Sequence, residues 1–179
     1  LWSAKAKNLL HGYQDRAFPS MKTITAIVII LFLSWNCPAQ GLKTDFWLTF
    51  EQLEDSLRVN PKPVFLYFYT DWCTYCRKME AEVFIKPAVV QHLSKRFYAV
   101  KFDAEYAGDV VFDGRVFSNR QLKTSRNPMH DLALLFNGQK NNPFAPPLMV
   151  LLDQDFVLIK RVNQYQDSQK LVDFLESIH

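Results

Sequence analysis

Cysteine is scarce in this chain: 179 residues hold three, and two of them stand close together in Cys73-Thr74-Tyr75-Cys76. Three cysteines cannot build the multi-bridge framework of a small secreted scaffold, and no second close pair completes the four-ligand set of a structural zinc site. The histidines do not fill that gap, because His92, His130 and His179 are scattered with no ligand spacing to the pair. Long apolar runs are missing too. The stretch Ile24 to Leu33 is too short for a comfortable transmembrane helix, which needs about 20 residues.

That stretch follows Met21-Lys22 and leads into Ser34-Trp35-Asn36-Cys37-Pro38-Ala39-Gln40. Basic start, apolar core and small-residue exit, in that order, make a secretory signal peptide. The expected organisation is an upstream extension over 1–20 outside the fold, a signal peptide over 21–39 cleaved after Ala39, and a single domain over 40–179. Two other fates of the segment stay open: an uncleaved membrane anchor, or lipid attachment at Cys37. The first 39 residues carry four of the 21 basic side chains and one of the 18 acidic ones, so the domain holds 17 of each and its net charge is near zero. A lasting basic excess is therefore absent, which excludes a general nucleic-acid footprint. Roughly 140 residues suit one domain, expected to be a monomer.

With Cys37 removed, only Cys73 and Cys76 remain, and an exported protein with one close pair points to redox work more than to stapling. The pair follows the apolar run Val64 to Thr70 and an Asp71-Trp72 step, so a strand feeds a helix at the first cysteine. There the unpaired backbone N–H groups and the positive end of the helix dipole favour the thiolate of Cys73. Cys76 lies one turn further in, placed to attack a mixed disulfide at Cys73 and release the partner as a dithiol. Cys73 is the expected nucleophile and Cys76 the resolving thiol. A zinc site, a permanent structural disulfide and a redox-inactive fold used only for binding are the competing possibilities.

Around the pair, Trp47, Phe50, Leu53 and Leu57 recur at helical spacing from Phe46 onward, with Thr49 and Gln52 as a capping box, and this first helix ends near Asn60-Pro61. Val64 to Tyr69 is apolar or aromatic on both faces, as in a central strand covered on each side. A helix from Cys73 carries Met79 and Val83 inward, and Pro87 interrupts it before Ala88 to Phe97. Tyr98 to Asp103 reads as a strand, parallel to the first. Ala104 to Phe144 is a long loop with one helix at Met129 to Phe136, and its Arg115, Arg120, Lys123 and Arg126 read as a solvated face or as a contact surface for a partner. Leu148 to Leu152, a turn at Asp153 to Asp155, and Phe156 to Arg161 form a β-hairpin. Ser168 caps a last helix with a stripe of Leu171, Val172, Phe174, Leu175 and Ile178.

Tyr69 to Glu80, with its Trp72-Cys73-Thr74-Tyr75-Cys76-Arg77-Lys78-Met79 core, then Val83-Phe84 and Pro147 to Asp153, resemble a thioredoxin-fold protein over roughly Phe46 to His179. The likeness is greatest to exported bacterial thioredoxin-like proteins such as the C-terminal domain of thiol:disulfide interchange proteins. It implies an α/β thioredoxin-like fold, a central mixed β-sheet flanked by helices, with a long insertion before the cis-proline strand. It also implies a protein thiol:disulfide oxidoreductase, with Trp72 shielding the site, Cys73 and Cys76 catalytic, Pro147 the cis-proline, and Thr74 and Tyr75 in place of the usual Gly-Pro. The expected partners are protein thiols and disulfides and an upstream redox protein, which a membrane protein could supply; no metal or organic cofactor is implied. Where thioredoxins bury an acid, six residues before the first cysteine, this chain has Tyr67. Lys101, on the neighbouring strand, and Glu80 read either as electrostatic contributors in place of that acid or, as expected, as solvated surface groups.

Overall fold

The structure, a computed structural model, describes residues 45–138 and 143–178; the expected extension over 1–20, the signal peptide over 21–39, Cys37 and His179 lie outside the described residues. In chain order the elements are β1 (Trp47–Leu48), α1 (Phe50–Val59), β2 (Val64–Tyr69), α2 (Thr74–Glu82), α3 (Pro87–Arg96), β3 (Tyr98–Asp103), β4 (Val110–Phe112), β5 (Arg115–Phe117), α4 (Asp131–Asn137), β6 (Leu148–Leu152), β7 (Leu158–Val162) and α5 (Ser168–Glu176). Among the described residues no helix is long and apolar enough to cross a membrane.

The apolar run of β2 forms the middle of a five-stranded sheet of order β1-β3-β2-β6-β7. It pairs parallel with β3, Tyr67 opposite Lys101, and antiparallel with β6, Tyr67 opposite Met149. Alternate β2 side chains enter two separate cores. Val64, Leu66 and Phe68 meet Phe50 and Leu53 of α1 and Leu132 and Phe136 of α4. Phe65 and Tyr67 meet Met79 of α2, Val89 and Leu93 of α3, and Leu171, Phe174 and Leu175 of α5. Burial on both faces explains why β2 and β6 show no polar alternation.

Four sequence expectations shift. Trp47 and Leu48 are not helical but form a short parallel strand on β3, and α1 starts only after Thr49. The capping box is as expected: Thr49 Oγ1 accepts from Gln52 N at 3.2 Å while Gln52 Oε1 accepts from Thr49 N at 2.9 Å. That box fixes the helix start, which the apolar spacing alone extended too far. Asp167, not Ser168, caps α5, its Oδ1 accepting from Lys170 N at 2.9 Å; both residue types cap, and the carboxylate one position earlier does so here. The long loop holds a hairpin, β4 with β5, turned at Asp113 and Gly114, both of positive φ. The last strand begins at Leu158, because Phe156 has a φ of 62° and Asp153 Oδ1 binds the N–H groups of Asp155 and Val157, which prolongs the turn.

Candidate active site

Chain direction brings the site together. β3 runs parallel to β2, and β7, antiparallel to β6, does so too. The carboxyl ends of β2, β3 and β7 and the amino end of β6 therefore share one end of the sheet. Cys73 follows β2, Glu105 follows β3, Tyr165 follows β7, and Pro147 precedes β6.

At that end Cys73 and Cys76 are joined by a disulfide. Cys73 is the N-cap of α2, and its Sγ accepts the backbone N–H of Cys76 at 3.0 Å. The cap sulfur thus takes the place usually held by a serine or aspartate oxygen, and a thiolate there gains from the same N–H and from the helix dipole. Its own N–H is held by the Thr70 carbonyl at 3.1 Å, and its carbonyl accepts from Arg77 N at 3.2 Å. Both cysteines are nearly buried, 4% and 1% exposed.

Tyr67 occupies the position of the missing acid, fully buried beneath α2, and its hydroxyl donates to the Cys76 carbonyl at 3.3 Å. Burial, then the negative charge of Glu80 and the neighbouring Tyr69, push the phenol far up, so it stays protonated. It is a hydrogen-bond donor and not a proton acceptor. Tyr69 stacks on it with ring centroids 6.1 Å apart, and its phenol is likewise raised, by burial and then by Asp103, Glu80 and Asp71. Glu80 and Lys101 are not separate solvated groups, as expected from sequence, but a part-buried ion pair at 2.8 Å, with Lys101 Nζ also 4.4 Å from the centre of the Tyr69 ring. Strand pairing sets this up, since Lys101 lies opposite Tyr67.

The other predicted site residues gather at the same end. Trp72 is exposed, and its indole Nε1 donates to Glu105 Oε1 at 3.1 Å. Glu105 is fixed in turn: its N–H donates to Asp103 Oδ1 at 2.9 Å, and its carbonyl accepts from Asn119 Nδ2 at 3.4 Å. Buried Asn119 also donates to the carbonyls of Tyr106 and Pro128, tying the long insertion to the turn after β3. Thr74 and Tyr75 open α2, the first with its hydroxyl accepting from Arg77 at 3.3 Å, the second with its ring 61% exposed. The Pro146-Pro147 bond is cis, directly before β6. Two contributors escaped the sequence reading: Glu105, and Tyr165, whose ring lies 5.8 Å from that of Tyr75. Of the basic residues of the long insertion, Arg120 pairs with Asp131 at 2.6 Å. Among the described residues no group of three or more His, Cys, Asp or Glu is placed to hold a metal ion.

A central mixed sheet covered on both faces, with a Cys-X-X-Cys pair capping the helix after its middle strand and a cis-proline opening the neighbouring strand, defines a thioredoxin fold. The family model of the thioredoxin-like domain matches residues 50–179, and the chain belongs to that family. A thiol:disulfide interchange protein DsbD of Campylobacter jejuni is 23% identical over 122 residues, 68% of this chain. A protein of the same name from Pectobacterium atrosepticum is 44% identical over 43 residues, 24% of this chain. The chain spans only 17% and 8% of the lengths of these two curated relatives. The solution structure of a thioredoxin from Thermus thermophilus shares the fold, with a TM-score of 0.53, 17% identity, and coverage of 74% of this chain and 85% of that one.

Proposed function

We propose that this protein is an exported thiol:disulfide oxidoreductase that exchanges electrons with protein substrates through Cys73 and Cys76. The observation that carries this is the cap geometry: the sulfur that must become a thiolate already accepts a helix N–H at 3.0 Å, and the second sulfur is within bonding distance of it. In the reducing direction, which we favour, the Cys73 thiolate attacks a substrate disulfide; one substrate sulfur joins Cys73 in a mixed disulfide and the other leaves as a thiolate. Cys76, deprotonated, then attacks Cys73 Sγ, releasing the second substrate thiolate and closing the Cys73–Cys76 bond. Two electrons pass to the substrate. A dithiol of an upstream redox protein returns them by the reverse exchange.

Trp72, Pro147, Thr74 and Tyr75 support the reaction by framing the sulfurs, and the extracytoplasmic location rests on the signal peptide expected over 21–39. Near-complete burial of both cysteines supports a second possibility, a binding or structural module whose disulfide is permanent. Equilibration of the full chain against reduced and oxidised glutathione, with thiol trapping, separates the two. Reversible exchange with a potential near that of thioredoxin, about −270 mV, supports the reductase, whereas a disulfide inert to glutathione, with a potential below about −300 mV, overturns it.

A further inference from the structure

Tyr165 has no part in the exchange chemistry just described, yet the return of the chain after β7 sets it against the dipeptide between the cysteines. Its ring is tilted 42° to that of Tyr75 at 5.8 Å, and Lys78 Nζ sits 5.2 Å from its centre. Tyr75 and Lys78 are exposed, on the first turns of α2. The two rings form an apolar shelf beside the disulfide, and the ammonium lies at its rim.

The charge at that rim is uncompensated. Lys101 is neutralised by Glu80, but among the described residues no carboxylate pairs with Lys78. Its neighbour Arg77 is likewise spent on neutral acceptors, the Asp71 carbonyl and the Thr74 hydroxyl. The opposite flank has the opposite sign: Trp72 is held by Glu105, which enters from β3, on the other side of β2 from β7. The sulfurs therefore lie between an aromatic-cationic flank and an aromatic-anionic one. A segment crossing them meets attraction for a carboxylate at one end only, and repulsion of it at the other.

Resting on the exchange function proposed above, we propose that Tyr75, Tyr165 and Lys78 form a specificity subsite for a protein segment in which an acidic and an aromatic residue adjoin the reacting cysteine. The aromatic side chain packs on the two tyrosines and the carboxylate meets Lys78, so polarity selects which way the partner lies over the disulfide. An aromatic contact together with one partly desolvated charge contact is of the size that changes affinity by about tenfold.

The test uses the full chain, with dithiothreitol as reductant, and compares two disulfide-linked peptide dimers of equal length, one with Asp and Phe beside its cysteine and one with Lys and Ala. The neutral bis(2-hydroxyethyl) disulfide serves as the size control. The wild-type protein is expected to prefer the Asp-Phe peptide by about tenfold in kcat/KM, with the preference shrinking as salt screens it. Lys78→Gln and Tyr165→Ala are expected to raise KM for that peptide with kcat held, Lys78→Arg to restore it, and Lys78→Glu to shift the preference toward the Lys-Ala peptide. Circular dichroism of each variant checks that it is folded, and Tyr165→Phe keeps the shelf if Tyr165→Ala is not. Turnover of both peptides at equal kcat/KM, or a preference that survives Lys78→Glu, overturns the subsite alone. Failure of the wild-type protein to turn over even bis(2-hydroxyethyl) disulfide overturns the exchange function and the subsite with it.

Discussion

The Tyr67 hydroxyl donates to the Cys76 carbonyl at 3.3 Å, directly beneath the helix that carries both cysteines. A protonated phenol thus stands where the resemblance to thioredoxins would put a buried acid, a departure the sequence already showed, and it supports the backbone of the resolving cysteine without offering to take its proton. Tyr67→Phe should therefore lower the stability of the oxidised protein by about 0.5–1.5 kcal/mol, the usual cost of one lost hydrogen bond. Its exchange rate should stay within a few-fold of wild type, measured beside urea unfolding; a loss of two orders of magnitude in rate would restore a direct role in proton transfer.

Glu80 is the carboxylate whose charge Tyr67 feels, and it lies four residues after Cys76, on the same helical face. If it accepts the Cys76 proton during resolution, Glu80→Gln should slow release of a mixed disulfide by roughly tenfold or more, within the range for general-base catalysis. Formation of the mixed disulfide should be spared. Stopped-flow measurement of the two steps decides, and an unchanged release rate rejects the role.

The order of attack is tested by trapping. Cys76→Ser removes the escape reaction and should accumulate covalent partner complexes on non-reducing gels, while Cys73→Ser should accumulate few. Equal trapping by both variants would reject the assignment of Cys73 as nucleophile.

His130 gives a pH dependence of its own. It caps α4, with Nδ1 accepting from Leu132 N at 3.2 Å and Nε2 3.1 Å from the Gly108 carbonyl, so the neutral ring protonated on Nε2 satisfies both bonds. Burial lowers its pKa, outweighing the Gly108 carbonyl and the nearby Asp131 that favour the charged form. A lowered folded-state pKa means the unfolded chain binds the proton first as pH falls. The stability contributed by His130 is complete above about pH 6.5 and is lost below it, with a slope of at most about 1.4 kcal/mol per pH unit. Urea unfolding between pH 7.5 and 5 should show this loss in wild type and a shallower one in His130→Asn, which keeps a capping oxygen; identical slopes would reject it.

The parts of the fold legible in the sequence are those fixed by local chemistry. Val64 to Tyr69 could be placed as a central strand because six apolar or aromatic residues in succession, bounded by Pro63 and Asp71, are too short for a buried helix and suit a strand covered on both faces, and the Thr49–Gln52 box marked a helix start. β1 was illegible because two residues carry no period, and Trp47 and Leu48 also fit a helical spacing. The hairpin of β4 and β5 was there to be read in Asp113-Gly114 between Val110-Val111-Phe112 and Arg115-Val116-Phe117, a turn pair flanked by strand formers. The sulfur pair was legible from spacing alone. Glu105 and Tyr165 were not, since each owes its place to the direction of a strand far along the chain from the cysteines.

The insertion after β3 leaves and rejoins the body of the protein at one point, where His130 N donates to the Ala104 carbonyl at 2.7 Å. A segment whose two ends are stapled together adds little chain entropy to the domain that bears it, whatever its length. It is not wholly interchangeable, because Phe112 of β4 packs on Phe50, Phe136 and Phe156 in the core; growth or shortening is tolerated in the rest of the loop and felt at that strand. Among the described residues, one thread by which a change in it would reach the sulfurs is Glu105, through the indole of Trp72.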